Sequence, residues 1–391
     1  MSRRIAVCAA ALLAAAAALF AGPRAAGLPV AWSASWGTAQ AQAIPVGPWQ
    51  SQTLRMAARV SLGGTQVRVH LANTFATSTA TFGRVSVGVQ LDGAWTQAAP
   101  VQATFGGASS VTLPPGASAV SDPVPLPVTA DTRLLVSLYI PPGAGITSAP
   151  VHQLPDEQEY NIIGSDVTGI AHPAVTNMFN FTTYLTGLDV DTAGPQTVVA
   201  VGDSITDGTG AVVDADTRWP DYLAARAAPG GYGVVDMGIV GDWVTQDQPG
   251  NQDLANRWGR DVLAVSGVRT VIDAAGINDL RGGVSAATLE AAQNTLIAQA
   301  HAAGVRVLLA TLTPCAGAPQ CASGFETQRE IYNSWVFSGG STADGCVDFN
   351  GAAMSTSNPL ALNSLYDSGD HLHPGSAGYD VMAGVVPLGA L

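Results

Sequence analysis

The amino-acid sequence predicts an all-β sandwich or jelly-roll domain followed by an α/β domain with a parallel sheet. Three observations carry this reading. The chain has 391 residues, more than one small domain needs. Its first half is a series of short apolar strands separated by Gly and Pro. Near residue 190 the texture changes to strands alternating with helices. Hydrophobic residues make up 47% of the chain, enough for sizeable cores, so the low charged fraction of 12% does not mean disorder.

Residues 1–26 read as a signal peptide. Arg3 and Arg4 form a positive start, Ile5 to Phe20 an uncharged apolar run, and Ala21 to Gly27 a stretch of small residues where cleavage is expected. The run is short for a membrane span. The expected product is secreted or periplasmic, with no stable membrane anchor after cleavage. Residues 27–190 form the β domain. LRMAARVSL, TQVRVHLA, GRVSVGVQL, SVTLPPG, DPVPLPV and RLLVSLYIPP alternate or carry β-branched residues, as strands of a sandwich or jelly roll do. Trp32, Trp36, Trp49 and Trp95 offer faces that can stack on sugars, but core or interdomain packing is the simpler role.

Residues 191–391 form the α/β domain. The strands are TVVAV (197–201), GVVDMGI (233–239), RTVIDAAG (269–276), VRVLLATLTP (305–314) and CVDFN (346–350). Helices are expected at Trp219–Ala228, Asp253–Val265, from the Ser285 cap to Ala303, at Glu326–Phe337 and at Ser376–Val386. This alternation means a parallel sheet covered on both faces. In such sheets the site lies beyond the carboxyl ends of the strands.

The formal net charge is −13, and loss of residues 1–26 removes three arginines and no acid, leaving near −16. So acidic a surface has no footprint for nucleic acid or anionic lipid. There is no lysine, which excludes a Schiff-base lysine, a P-loop lysine and a Ser–Lys dyad. Cys8 leaves with the leader, and Cys315, Cys321 and Cys346 show no C-x-x-C spacing, so no metal site is expected. In an oxidising compartment Cys315 and Cys321 are expected to pair, leaving Cys346 free, with a pairing through Cys346 as the alternative.

Chemistry-bearing residues gather where strands end. The first strand runs into Gly202-Asp203-Ser204-Ile205-Thr206-Asp207-Gly208. The second ends in Gly238-Ile239-Val240-Gly241-Asp242 and the third in Gly276-Ile277-Asn278-Asp279. Near the C-terminus stands Asp367-Ser368-Gly369-Asp370-His371-Leu372-His373-Pro374. Each block alone reads as an ordinary turn or cap, and the first is not the G-x-S-x-G elbow. Asp273, in an otherwise apolar strand, is expected to be a structural acid with its hydrogen bonds satisfied.

Taken together and in this order, the four blocks resemble those of the SGNH hydrolases, the GDSL esterase/lipase family, over roughly Thr197 to Leu391. The likeness is to secreted bacterial members with an N-terminal β domain. The resemblance implies a three-layer, flavodoxin-like domain and serine-based hydrolysis of esters without metal or cofactor. It makes Ser204 the nucleophile, His373 its base and Asp370 the partner of that base. The oxyanion hole would be the N–H groups of Ser204 and Gly241 with the Asn278 amide. The chemistry suits the residues: a hydroxyl is a weak nucleophile until a base takes its proton, and donors must meet the developing oxyanion. Asp367 with His371 is the competing pair, but its spacing is one residue longer than the family's Asp-x-x-His. The substrates implied are a small-molecule ester or an acylated glycan. A short-chain or carbohydrate O-acetyl esterase is the first expectation. A long-chain lipase or phospholipase is the alternative, and an inactive glycan-binding protein a remote one.

Overall fold

The computed structural model describes residues 31–153, 157–319, 321 and 323–391. The expected signal peptide lies outside the described residues. Among them, no helix is long and apolar enough to cross a membrane.

The N-terminal part is all-β. One antiparallel sheet has the order Ala31–Gly37, Leu185–Thr192, Val67–Ala72, Ser118–Val120. A second runs Asn177–Phe179, Glu159–Ile163, Gln52–Arg59, Arg133–Ile140, Arg84–Asp92, Trp95–Thr96. Strict alternation places Val67, Val69 and Leu71 in the core and leaves Arg68 and His70 half-buried on the other face. Gln52–Arg59 is different, because both its faces are covered. Leu54, Met56 and Ala58 join the main core, while Ala57 packs with Leu135, Tyr160 and Ile162. Arg55, fully buried there, donates to the carbonyls of Ala94, Val167 and Ile170.

Some expectations needed correction. DPVPLPV is not a strand. Val124 and Val128 make only isolated bridges, because prolines at 123, 125 and 127 cannot donate to a ladder. CVDFN is a strand only over Gly345–Val347, after which Asp348 caps a short helix. The helix from Asp253 is regular only over Leu254–Trp258 and continues as a π turn over Gly259–Leu263.

The second part is a five-stranded parallel sheet: β1 (Thr197–Gly202), β2 (Gly233–Gly238), β3 (Val268–Asp273), β4 (Arg306–Ala310) and β5 (Gly345–Val347). The order is β2-β1-β3-β4-β5. β1 and β3 are apolar through their centres, as doubly covered strands must be. The chain leaves β1 in one direction and returns on its other side at β3. This creates a switch point, and a crevice, at the carboxyl end of β1.

The two parts are joined through backbone and hydroxyl contacts. Strand Ala31–Gly37 lies along β2. Ala34 N–H donates to Ser266 O at 2.8 Å, and Thr197 Oγ1 donates to Ala34 O at 3.1 Å. Ser61 Oγ both donates to Val234 O and accepts from Val234 N–H, each at 2.8 Å.

Candidate active site

Ser204 opens a single-turn helix, α1 (Ser204–Asp207), immediately beyond β1. Asp203 remains extended and its Oδ1 accepts from Ile205 N–H at 3.0 Å, which caps the turn. Gly208 ends it at φ 105°, a conformation that favours glycine. Gly238 lets β2 approach α1 closely: a Cβ there would lie 2.3 Å from Asp207 N. The sequence thus builds a short, tightly braced turn with Ser204 at its first position.

The C-terminal turn brings His373 to this serine. Ser204 Oγ and His373 Nε2 are 2.9 Å apart, and His373 Nδ1 and Asp370 Oδ2 are 2.6 Å apart. Asp370 Oδ1 accepts from the N–H groups of Leu372 (2.9 Å) and His373 (2.8 Å). Partial burial pushes the Asp370 carboxyl up, but the hydrogen bonds from the His373 ring and from these N–H groups outweigh it and hold it at about 2. A carboxylate at Nδ1 places the proton there and leaves Nε2 to accept from a hydroxyl. Asp367 and His371 form a parallel pair, with Nδ1 and Oδ2 2.7 Å apart, but nothing links His371 to Ser204.

Gly241 sits at φ 74° in the loop after β2, and Asn278 is buried near the start of α2 (Ile277–Arg281). Asn278 Nδ2 donates to Asp242 O at 3.0 Å, and its Oδ1 accepts from Arg281 Nη1 at 3.2 Å. One amide N–H is therefore used and the orientation is fixed. Among the described residues the backbone N–H groups of Ser204 and Gly241 meet no acceptor. Asp279 ties the two loops together by accepting from Val244 N–H, Thr245 N–H and Thr245 Oγ1.

Sequence reasoning missed Arg257. This fully buried residue donates to Met237 O (2.8 Å), Gly202 O (3.3 Å) and Asp242 Oδ2 (2.6 Å), bracing the ends of β1 and β2 and the loop beyond. The signal was an arginine on the same helical face as Leu254 and Trp258. Asp273 also departs from expectation. Its Oδ1 accepts from Ala275 N–H and Gln293 Nε2, but Oδ2 has no partner among the described residues. Burial pushes Asp203, Asp236 and Asp273 each up to about 7.

Cys315 and Cys321 are joined, with sulfurs 2.04 Å apart. The loop touches the site twice: Arg281 Nη2 donates to Pro319 O at 3.1 Å, and Gly317 lies against the His371 ring. The expectation of a free Cys346 is wrong, since that residue too is disulfide-bonded. Among the described residues no group of three or more His, Cys, Asp or Glu side chains is placed to hold a metal ion.

An open parallel sheet that gathers a serine, an imidazole and a carboxylate at its switch point defines an α/β domain of hydrolase type. Residues 200–381 match the GDSL-like Lipase/Acylhydrolase family, and this segment is a domain of that family. No curated protein matches the chain. Similar solved structures include a GDSL-like lipase from Bacteroides thetaiotaomicron, 21% identical, covering 49% of this chain and 85% of its own, with a TM-score of 0.38. A carbohydrate acetylesterase from Sinorhizobium meliloti is 18% identical, covering 48% and 94%, with a TM-score of 0.38. The inhibitor-bound aryl esterase of M. smegmatis is 19% identical, covering 48% and 94%, with a TM-score of 0.39.

Proposed function

We propose that the chain is an exported serine ester hydrolase that removes short acyl groups, acetyl above all, from hydroxylated substrates such as glycans. The observation that carries this is the continuous hydrogen-bond path from Ser204 through His373 to Asp370. His373 takes the Ser204 proton as Oγ attacks the ester carbonyl, and Asp370 holds the imidazole in the productive tautomer and stabilises its charged form. The oxyanion meets the Ser204 and Gly241 N–H groups and the spare N–H of Asn278. His373 then returns the proton to the leaving alcohol, and a water repeats the sequence to free the acid. The β2-β1-β3-β4-β5 order supports a three-layer, flavodoxin-like domain around this crevice. The surroundings of the reacting residues are polar: Asp367, His371, Arg281 and the disulfide loop suit a hydroxyl-rich alcohol more than a long acyl chain. Export rests on the leader at residues 1–26.

Ser204→Ala is expected to abolish turnover of p-nitrophenyl acetate while leaving the circular dichroism spectrum unchanged. Retention of a substantial fraction of activity dismisses Ser204 as nucleophile. A chain-length series of the same esters, with acetate release from acetylated glycans, tests the substrate class. A rate that rises toward long acyl chains replaces it with a lipase.

A further inference from the structure

The β domain contributes one side chain that reaches the nucleophile turn. His152, on strand Ile146–Gln153, places Nε2 2.7 Å from Asp207 Oδ1, and its Nδ1 lies 2.9 Å from the carbonyl oxygen of Ala39. Both side chains are buried, at 6% and 3% exposure. Asp207 is the last residue of α1, whose first residue is Ser204, and its N–H donates to Asp203 O at 2.9 Å.

We propose that His152 is a positioning residue: by gripping Asp207 from the β domain it fixes the single turn that aims Ser204 at His373. This rests on the reading of Ser204 as nucleophile. One turn of helix cannot hold itself, because nucleation orders several residues for one bond. Here the N-terminal end is set by the Asp203 cap, and the C-terminal end by the close approach of β2 and by His152. A carbonyl oxygen only accepts, so Nδ1 carries a proton. Nε2 faces a carboxylate, so the charged ring satisfies both partners at once. Burial favours the neutral ring, but Asp207, its hydrogen bond and the Ala39 carbonyl outweigh burial and raise the His152 pKa above the ordinary imidazole value. The other charged groups facing the pair are Asp236, which also favours the charged ring, and Glu157 and Arg218, which line the same small cavity. The sign follows: the grip is complete below the ordinary imidazole pKa and is lost as pH rises through the raised one.

The test uses the whole chain. In wild type, the rate of covalent labelling of Ser204 by a neutral organophosphate, and kcat on a soluble ester, should fall on an alkaline limb while the protein remains folded. His152→Gln should remove that limb and lower both quantities about 10- to 100-fold, with KM within about twofold. A mere structural role predicts a lower Tm but wild-type kcat and labelling well below it, and that result overturns the proposal. So does a wild-type profile that stays flat across the folded range. Should His152→Gln not fold, Asp207→Asn decides, since it keeps the shape and a hydrogen bond but removes the charge; wild-type kcat in that variant also overturns the proposal. Absence of Ser204 labelling in wild type is a distinct outcome that withdraws the nucleophile reading and this inference together.

Discussion

The turn from Asp367 to Pro374 carries two Asp–His pairs that differ little in bond length and much in setting. Asp370–His373 is closed at 2.6 Å and Asp367–His371 at 2.7 Å. Yet the His373 side chain is 13% exposed and meets Ser204, whereas that of His371 is 56% exposed and rests on Gly317. His371 also has a left-handed backbone, at φ 65°. The Asp–His contact alone therefore does not mark a general base; what the other ring nitrogen touches does. Substitution should expose the difference. His373→Ala should lower kcat at least about a thousandfold, as loss of a triad base does, and His371→Ala only about tenfold through altered packing. Both variants must be measured on one substrate at one pH. A larger loss at His371 reverses the assignment and the role given to Asp370.

Asn278→Ala sharpens the same comparison from the acceptor side of the reaction. Its amide is buried, oriented by Arg281 and left with one spare N–H. Such a donor acts on the charge that forms in the transition state, so kcat should fall roughly 100- to 1,000-fold with little change in KM. Steady-state kinetics on one ester separate the two constants. A change confined to KM makes Asn278 a substrate-binding residue.

The acids of the turn and those at the strand ends respond to pH in opposite senses. Hydrogen bonds hold Asp370 at about 2, so its stabilising contribution is present above the ordinary carboxylate value and disappears only as pH falls through about 2. Burial lifts Asp203, Asp236 and Asp273 to about 7. An acid whose folded value is raised binds its proton more tightly when folded, so stability falls as pH rises from about 4 to about 7. Scanning calorimetry should give a Tm lower at about pH 7.5 than at about pH 5 by on the order of 5 °C. A Tm that rises over this range shows these carboxyls to be stabilised as anions in the fold.

The parallel sheet and its three strand-end blocks were legible because their signals are local: a short apolar strand followed by a Gly-containing turn. What was not legible depends on distant contacts. Ala31–Gly37 and Gln42–Trp49 are strands, but Ser33 and Ser35 in one and Pro45 and Pro48 in the other obscure the pattern. They are held by pairing with Leu185–Thr192 and Ile146–Gln153, far along the chain. The Arg257 brace joins groups 15 to 55 residues apart, and His152 reaches Asp207 from another domain. Side chains of this kind look like misplaced polar residues until the fold supplies their partners.

The smallest effect is expected from the disulfide loop, which lies behind His371 and, through Arg281, behind Asn278. Gly317 supports the His371 ring, while Pro319 O holds Arg281, which in turn orients Asn278. Among the described residues the loop makes no hydrogen bond to Ser204 or His373. Its bridge spans a sequence separation of only 6, so the entropy removed from the unfolded chain is modest, on the order of 2 kcal/mol. The double variant Cys315→Ala/Cys321→Ala is the proper probe, because it removes this one bridge and nothing else. It should fold with a lowered Tm and lose about two- to fivefold in kcat, less than His371→Ala, since a loosened loop still samples the native contact. Thermal melts and steady-state kinetics on the purified variant measure both. A loss as large as that of His373→Ala means that the loop holds the base itself, and the contrast between the two histidines then collapses into one rigid unit.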